Sequence, residues 1–104
     1  MPHSEYAVSV DAAAKTKMAN HASFLAKVSV SAAHRLRNAY YSALKSLEMN
    51  PQRCPLHTAN SNIEEELRYL LFSNRYRIVF EVVGKAVYVY DVQDARQNED
   101  KNLI

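Results

Sequence analysis

Two kinds of hydrophobic spacing divide the chain. In "EYAVSV", residues 5–10, Tyr6, Val8 and Val10 alternate with Glu5, Ala7 and Ser9, the period-two pattern of a short strand with one buried face. The spacing then changes. After Asp11, a residue suited to capping a helix, Ala14, Met18, Ala22, Leu25 and Val28 recur at helical intervals. Ser31 is placed to cap a second helix running to Met49, with Leu36, Tyr40, Ala43, Leu44 and Leu47 as its apolar stripe. Asn50-Pro51 ends that helix, because the residue before a proline avoids helical angles. Only "SVS" separates the two periodic stretches, which predicts an antiparallel helical hairpin.

The second half reads as strands. "NPQRCPLHTANSN", residues 50–62, holds two prolines and several turn formers, and predicts a loop long enough to be functional or mobile. "EELRYLLF", residues 65–72, begins a strand, and Ser73-Asn74 turns it into a second strand from Arg75 to Val82. Gly84-Lys85 follows, with glycine at the first central position of a type II′ hairpin; it is the one glycine in the chain. Ala86 to Val92 returns as the last strand, and the polar tail from residue 93 on is expected to be loose. The order is strand, helix, helix, then a three-strand antiparallel meander. It predicts a single α+β domain over residues 1–104, with the hairpin packed on the sheet in two layers.

Composition narrows the classes. The 48% hydrophobic and 23% charged fractions suit an ordinary folded domain. No stretch approaches the roughly 18 apolar residues of a membrane span, and Met1 to Val10 lacks the basic and apolar regions of a secretion signal. The lone Cys54 excludes an internal disulfide and fits a cytoplasmic location, where it reads as an incidental thiol. A net charge of +2 and a pI near 8.7 permit contact with nucleic acid without arguing for it. Lys15, Lys17, Lys27, Arg35, Arg37 and Lys45 fall in the first half; Arg68, Arg75, Arg77 and Arg96 fall in the last third, near the acidic run Glu64 to Glu66.

The candidate chemistry lies in that last third. With a period of two, Arg75, Arg77, Val79 and Glu81 share one face of their strand, with Arg68 on the neighbouring strand and Arg96 just past the last one. Converging arginines would bind a phosphate through permanently charged, bidentate donors. Each also has a plain structural reading. Arg77 would pair with Glu81 or Glu66, Arg68 and Arg75 would be solvated, and Arg96 would be a surface charge. Of the histidines, His21 and His34 fall on helices and His57 on the loop, without a second ligand at metal spacing. Tyr40, Tyr41, Tyr69, Tyr76, Tyr88 and Tyr90 read mostly as packing residues. No Gly-rich phosphate loop, G-x-S-x-G or cysteine pair is present, so neither a cofactor nor a metal is expected.

The segment "LRYLLFSNRYRIVFEVVGKAVYVYDVQDARQ", with the preceding "YAVSV", the Ala-rich helix and "SLEMNP", resembles the RelE/ParE family of bacterial type II toxins, the toxin–antitoxin or plasmid stabilisation systems. The resemblance covers most of the chain and implies a growth-inhibiting cytoplasmic toxin neutralised by a cognate antitoxin. The antitoxin would cross the groove between hairpin and sheet as an extended or helical segment. RelE-like members cut messenger RNA on the ribosome, whereas ParE-like members inhibit DNA gyrase by binding. By resemblance, Arg77 falls on the arginine that contributes to RelE-like catalysis, and Arg96 falls near the family's second functional arginine. The chain departs from that pattern in two places. "NEDKNLI" has no tyrosine or histidine, and "EEELRYLL" has one arginine where RelE has paired lysines. Glu81 would have to stand in for the missing proton-transfer group. The departures favour a ParE-like toxin, with the messenger RNA endonuclease and a non-toxic family member that only binds its partner as alternatives.

Overall fold

In a computed structural model of the protein, residues 5–57 and 66–95 are described. In chain order they form β1 (Ala7–Val10), α1 (Ala12–Ala26), α2 (Val30–Ser46), a short 3-10 turn (Pro51–Arg53), β2 (Leu67–Phe72), β3 (Tyr76–Val83) and β4 (Ala86–Asp94). The α+β order expected from periodicity is the order observed, with two helices against one four-stranded sheet.

The sheet runs β1-β4-β3-β2. β2, β3 and β4 form the antiparallel meander, and β1 joins it parallel to β4, in the register Ala7↔Ala86 to Val10↔Val89. The N–H groups of Ala7 and Asp11 donate to the carbonyls of Lys85 and Val89, each at 2.9 Å. A parallel neighbour cannot be reached by a tight turn, so the chain must cross over one face of the sheet, and the helical hairpin is that crossover.

Both helices begin and end for local reasons. Asp11 occupies the N-cap of α1 but makes no side-chain capping bond. Ser29, not Ser31, caps α2: it takes the extended backbone an N-cap requires, and its hydroxyl accepts from the Ala32 N–H at 3.0 Å. Ser31 lies inside the helix, where its hydroxyl accepts from Arg35 Nη1 at 2.8 Å. The second helix ends at Ser46, three residues before Met49. Asn50 then adopts a left-handed φ of 50°, which asparagine tolerates, and Pro51 opens the 3-10 turn.

The core lies between the layers. Ala14, Met18 and Ala22 from α1, with Leu36, Tyr40 and Ala43 from α2 and Leu47 just past it, pack on Tyr76, Ile78 and Phe80 of β3 and Val87, Val89 and Val92 of β4. The alanines of α1 let the helix approach the sheet closely, and the aromatics fill the far end. Phe72 lies 5.7 Å from Tyr76 and 5.8 Å from Tyr40 between ring centroids.

The turns follow their residues. Ser73 and Asn74 both take positive φ, 53° and 57°, as a primed hairpin turn demands. Gly84 has φ of 59° and links Val83 to Ala86 through a two-residue loop, as its place in the sequence predicts. β4 runs two residues past Val92, so Gln93 and Asp94, expected in the tail, are strand residues paired with Arg77 and Tyr76. Val79 pairs with Asp91 and Phe80 with Val89, which leaves Tyr90 as the extra residue of a β-bulge. The expected loop from residue 50 is pinned in its first part: His57 N–H donates to the Leu67 carbonyl at 2.7 Å and Tyr69 N–H to the Pro55 carbonyl at 3.1 Å. Residues 58–62 of that loop and the tail from Arg96 lie outside the described residues. Among the described residues no helix is long and apolar enough to cross a membrane.

This packing gives two stability predictions. Phe80→Ala, at a position with no solvent exposure, should lower the free energy of unfolding in urea by about 3–5 kcal/mol. Gly84→Ala meets no neighbouring atom, so its cost should be that of the left-handed backbone alone, about 1–2 kcal/mol.

Candidate functional site

The sheet has two faces, and β3 shows how the sequence divides them. Tyr76, Ile78 and Phe80 turn to the helices, so Arg77, Val79 and Glu81 take the other side. In register, Arg77 lies between Leu71 of β2 and Gln93 of β4. Its Nε donates to Gln93 Oε1 at 3.0 Å, and its guanidinium lies over the Tyr69 ring, 5.7 Å from the centroid. Gln93 Nε2 donates in turn to Asp91 Oδ2 at 3.0 Å, and Asp91 Oδ1 meets Lys17 Nζ of α1 at 2.8 Å. A continuous polar chain therefore runs Lys17, Asp91, Gln93, Arg77, Tyr69, from the first helix across three strands. At its far end the His57 ring meets Tyr69 edge-on, 6.0 Å between centroids, with both ring nitrogens buried and without a hydrogen-bond partner.

The middle of this chain is electrostatically tuned. Burial by itself would raise the pKa of Asp91. The hydrogen bonds from Lys17 and Gln93, the Lys17 charge and the Val92 amide outweigh that effect and hold the carboxyl below its ordinary value. Beyond the end of β1, β4 also relies on α1: His21 Nε2 lies 3.0 Å from the Val92 carbonyl oxygen.

The predicted site residues do not gather into one patch. Glu81 is on the same face as Arg77 but four positions along, about 13 Å at strand rise, and accepts from the Tyr90 hydroxyl at 2.7 Å. Arg75 is not on that face, because β3 begins only at Tyr76 and Arg75 belongs to the preceding turn. Its Nε and Nη2 both donate to Asp94 Oδ2, at 3.1 and 2.9 Å, and Asp94 is nearly buried. Arg68 pairs across with Phe80, which puts it on the helix side of the sheet. There its Nη1 donates to the carbonyls of Cys54 at 2.7 Å and Gln52 at 3.2 Å, which fastens the loop to β2. The expected solvated arginines are thus both bonded within the fold. The expected partners of Arg77 are also elsewhere: Glu81 with Tyr90, and Glu66 with Arg68 at 3.9 Å. Arg96 lies outside the described residues.

Sequence reasoning missed Lys17, Asp91, Gln93 and the approach of His57 to Tyr69. Lys17 and Asp91 are 74 positions apart, and only the folded crossover joins them. One signal was available: Gln93 lies one strand period after Asp91, on the same face.

The described residues also form clefts. A polar one of about 260 Å³ at the start of β2 brings Arg68 and Glu81 together with Glu66 and Gln52. Its two carboxylates against one guanidinium disfavour a phosphate. A larger, mainly apolar cleft of about 350 Å³ lies along the helical hairpin beside Val10. Among the described residues no group of three or more His, Cys, Asp or Glu side chains could hold a metal ion. The Cys54 thiol is buried, and burial raises its pKa with partial opposition from Arg53 and Arg68, which makes it a poor nucleophile.

No protein-family model matches the chain, and no curated protein matches it. Among solved structures it is similar to a chain of the "Chromosomal ParDE TA system from P. aeruginosa", with a TM-score of 0.69 over 88% of this chain and 98% of that one. At 12% identity the likeness is one of fold, and the fold is ParE-like.

The paired charges can be tested one by one. Removing the Arg75 guanidinium leaves the nearly buried Asp94 without its cation, so Arg75→Met should cost about 1–3 kcal/mol in urea unfolding. Asp91 contributes stability that is present above the unfolded carboxyl pKa of about 3.9 and is lost as pH falls through its lower folded value. In a double-mutant cycle, Lys17→Met and Asp91→Asn should show a coupling of about 0.2–1 kcal/mol at pH 7 that disappears on acidification below the folded pKa of Asp91.

Proposed function

We propose that this chain is the toxin of a type II toxin–antitoxin module, that it is ParE-like and inhibits DNA gyrase by binding, and that a cognate antitoxin neutralises it. Support for the module comes from the ParE-like fold together with the sequence resemblance. The observation that carries the choice of mechanism is the engagement of Arg77. Cleaving RNA at its ribose hydroxyl requires a base for the 2′-hydroxyl, an acid for the 5′-oxygen and a cation on the phosphate. The Nε of Arg77 is held by Gln93 and its ring-facing side by Tyr69. Glu81, the carboxylate nominated as its partner, is bonded to Tyr90 at a distance. Arg68 and Arg75 are bonded elsewhere. These arginines are scaffold in this reading, and the target is met by surfaces, chiefly the helical hairpin and the C-terminal segment.

One observation favours the messenger RNA endonuclease as the second reading. Tyr69 touches both the Arg77 guanidinium and the His57 ring, which groups a cation, a phenol and an imidazole that the tail does not supply.

Pulse labelling after induced expression in a bacterial host separates the two. The gyrase reading predicts that DNA synthesis falls before protein synthesis, and that Arg77→Ala and His57→Ala variants that remain folded keep that order. Earlier loss of protein synthesis, abolished by either substitution in a folded variant, would establish the endonuclease instead. Unimpaired growth would contradict the toxin reading altogether.

A further inference from the structure

The outer face of the sheet, away from the helices, carries two charges that mirror each other. Arg77, Val79 and Glu81 follow one another along it on β3, so a cation and an anion stand on either side of a valine. The two are about 13 Å apart at strand rise. Among the described residues neither takes part in an ion pair. Arg77 gives its Nε to the Gln93 amide, and Glu81 accepts from the Tyr90 hydroxyl. Each is therefore held in place by a neutral group, with its charge unmatched.

Apolar surface surrounds these charges. Leu71 of β2 is 53% exposed and lies in register with Arg77, and Tyr88 of β4 is 41% exposed and lies in register with Glu81. Tyr90, whose hydroxyl reaches Glu81, and Val83 at the end of β3 are also exposed. Exposed apolar side chains gathered on one face mark an interaction surface. The charges select its occupant. A nucleic acid would bring its phosphates to Glu81 and Asp91 as well as to Arg77, which disfavours it. A second copy presenting its helical layer would offer Arg77 nothing, since residues 12–47 hold no aspartate or glutamate. A second copy presenting this same face supplies both missing charges.

We infer that the chain pairs with a second copy of itself through this sheet face, about a twofold axis that runs between the two sheets, crosses the strands and passes Val79. Such an axis reverses strand direction and keeps strand order, so β3 lies over the partner's β3. Arg77 then stands opposite the partner's Glu81, and Glu81 opposite the partner's Arg77. By the register of β2, Tyr69 meets the partner's Tyr69 and Leu71 meets the partner's Leu67. Packed sheets lie about 10 Å apart with their strands within about 30° of one another, a gap that an arginine and a glutamate span together. Asp91 would face the partner's Asp91, but each already has its own Lys17 at 2.8 Å. A contact of this symmetry uses one patch on both copies, so association stops at two. The inference rests on the sheet face alone and holds whether or not the chain is a toxin.

Sedimentation velocity on the full chain is the test, at concentrations from about 1 to 500 μM, the range of weak association. The mass should rise from one copy to two and no further. Glu81→Arg sets a cation opposite the partner's Arg77 and should weaken the dimer at least about tenfold. Adding Arg77→Glu to the same chain exchanges the two charges and should restore it. Leu71→Asp, at an exposed position, should weaken it to a similar degree, and it decides alone if circular dichroism shows the charge-exchanged variant unfolded. Lys15→Glu, on the helical layer, should leave the dimer unchanged. A monomer at every concentration would overturn the proposal, as would assembly beyond two copies. So would a dimer indifferent to Glu81→Arg and Leu71→Asp, one broken by Lys15→Glu, or a folded charge-exchanged variant that stays monomeric.

Discussion

The parallel pairing of β1 with β4 is the contact on which the rest of this fold depends. It joins residues near the two ends of the chain, Ala7 with Ala86 through Val10 with Val89, and parallel strands require a crossover. The helical hairpin is therefore committed to one face of the sheet. Its alanine-rich first helix fits there because small side chains bring helix and sheet close. β1 is only four residues long, so the second half of β4 has no strand on that side. Lys17 and His21 of α1 supply contacts there instead, to Asp91 and to the Val92 carbonyl.

That arrangement determines what the polar residues can do. Once Lys17 holds Asp91, the carboxylate orients Gln93, and Gln93 holds the Nε of Arg77. The arginine best placed by motif to contact a phosphate thus belongs to a network that ties helix to sheet. Arg75 and Arg68 have comparable structural duties, one against a nearly buried carboxylate and one against two loop carbonyls. The helical layer differs in charge: residues 12–47 carry six cations and no aspartate or glutamate.

The elements were legible in the sequence wherever the deciding interaction is local. The change from period two to helical period marks β1 and α1, Gly84 marks its turn, and Asn50-Pro51 marks the end of the hairpin. Even the error in the α2 cap is local, since Ser29 and Ser31 are both capable residues and the backbone angle decides between them. The site was less legible because its contacts are remote. Nothing around Arg75 announces Asp94, and the apparent alternation Arg75, Arg77, Glu81 concealed that Arg75 lies in a turn. The bulge at Tyr90 is another such case: it depends on the pairing of two strands and leaves no mark in the spacing of one.

The central claim is that the sheet-face arginines hold the fold together and do not cut RNA. Primer extension on messenger RNA from a reconstituted translation reaction, with and without the purified protein, tests it most directly. The account predicts the same set of 5′ ends in both reactions. New ends positioned within codons, appearing only when the protein and translating ribosomes are both present, would contradict it.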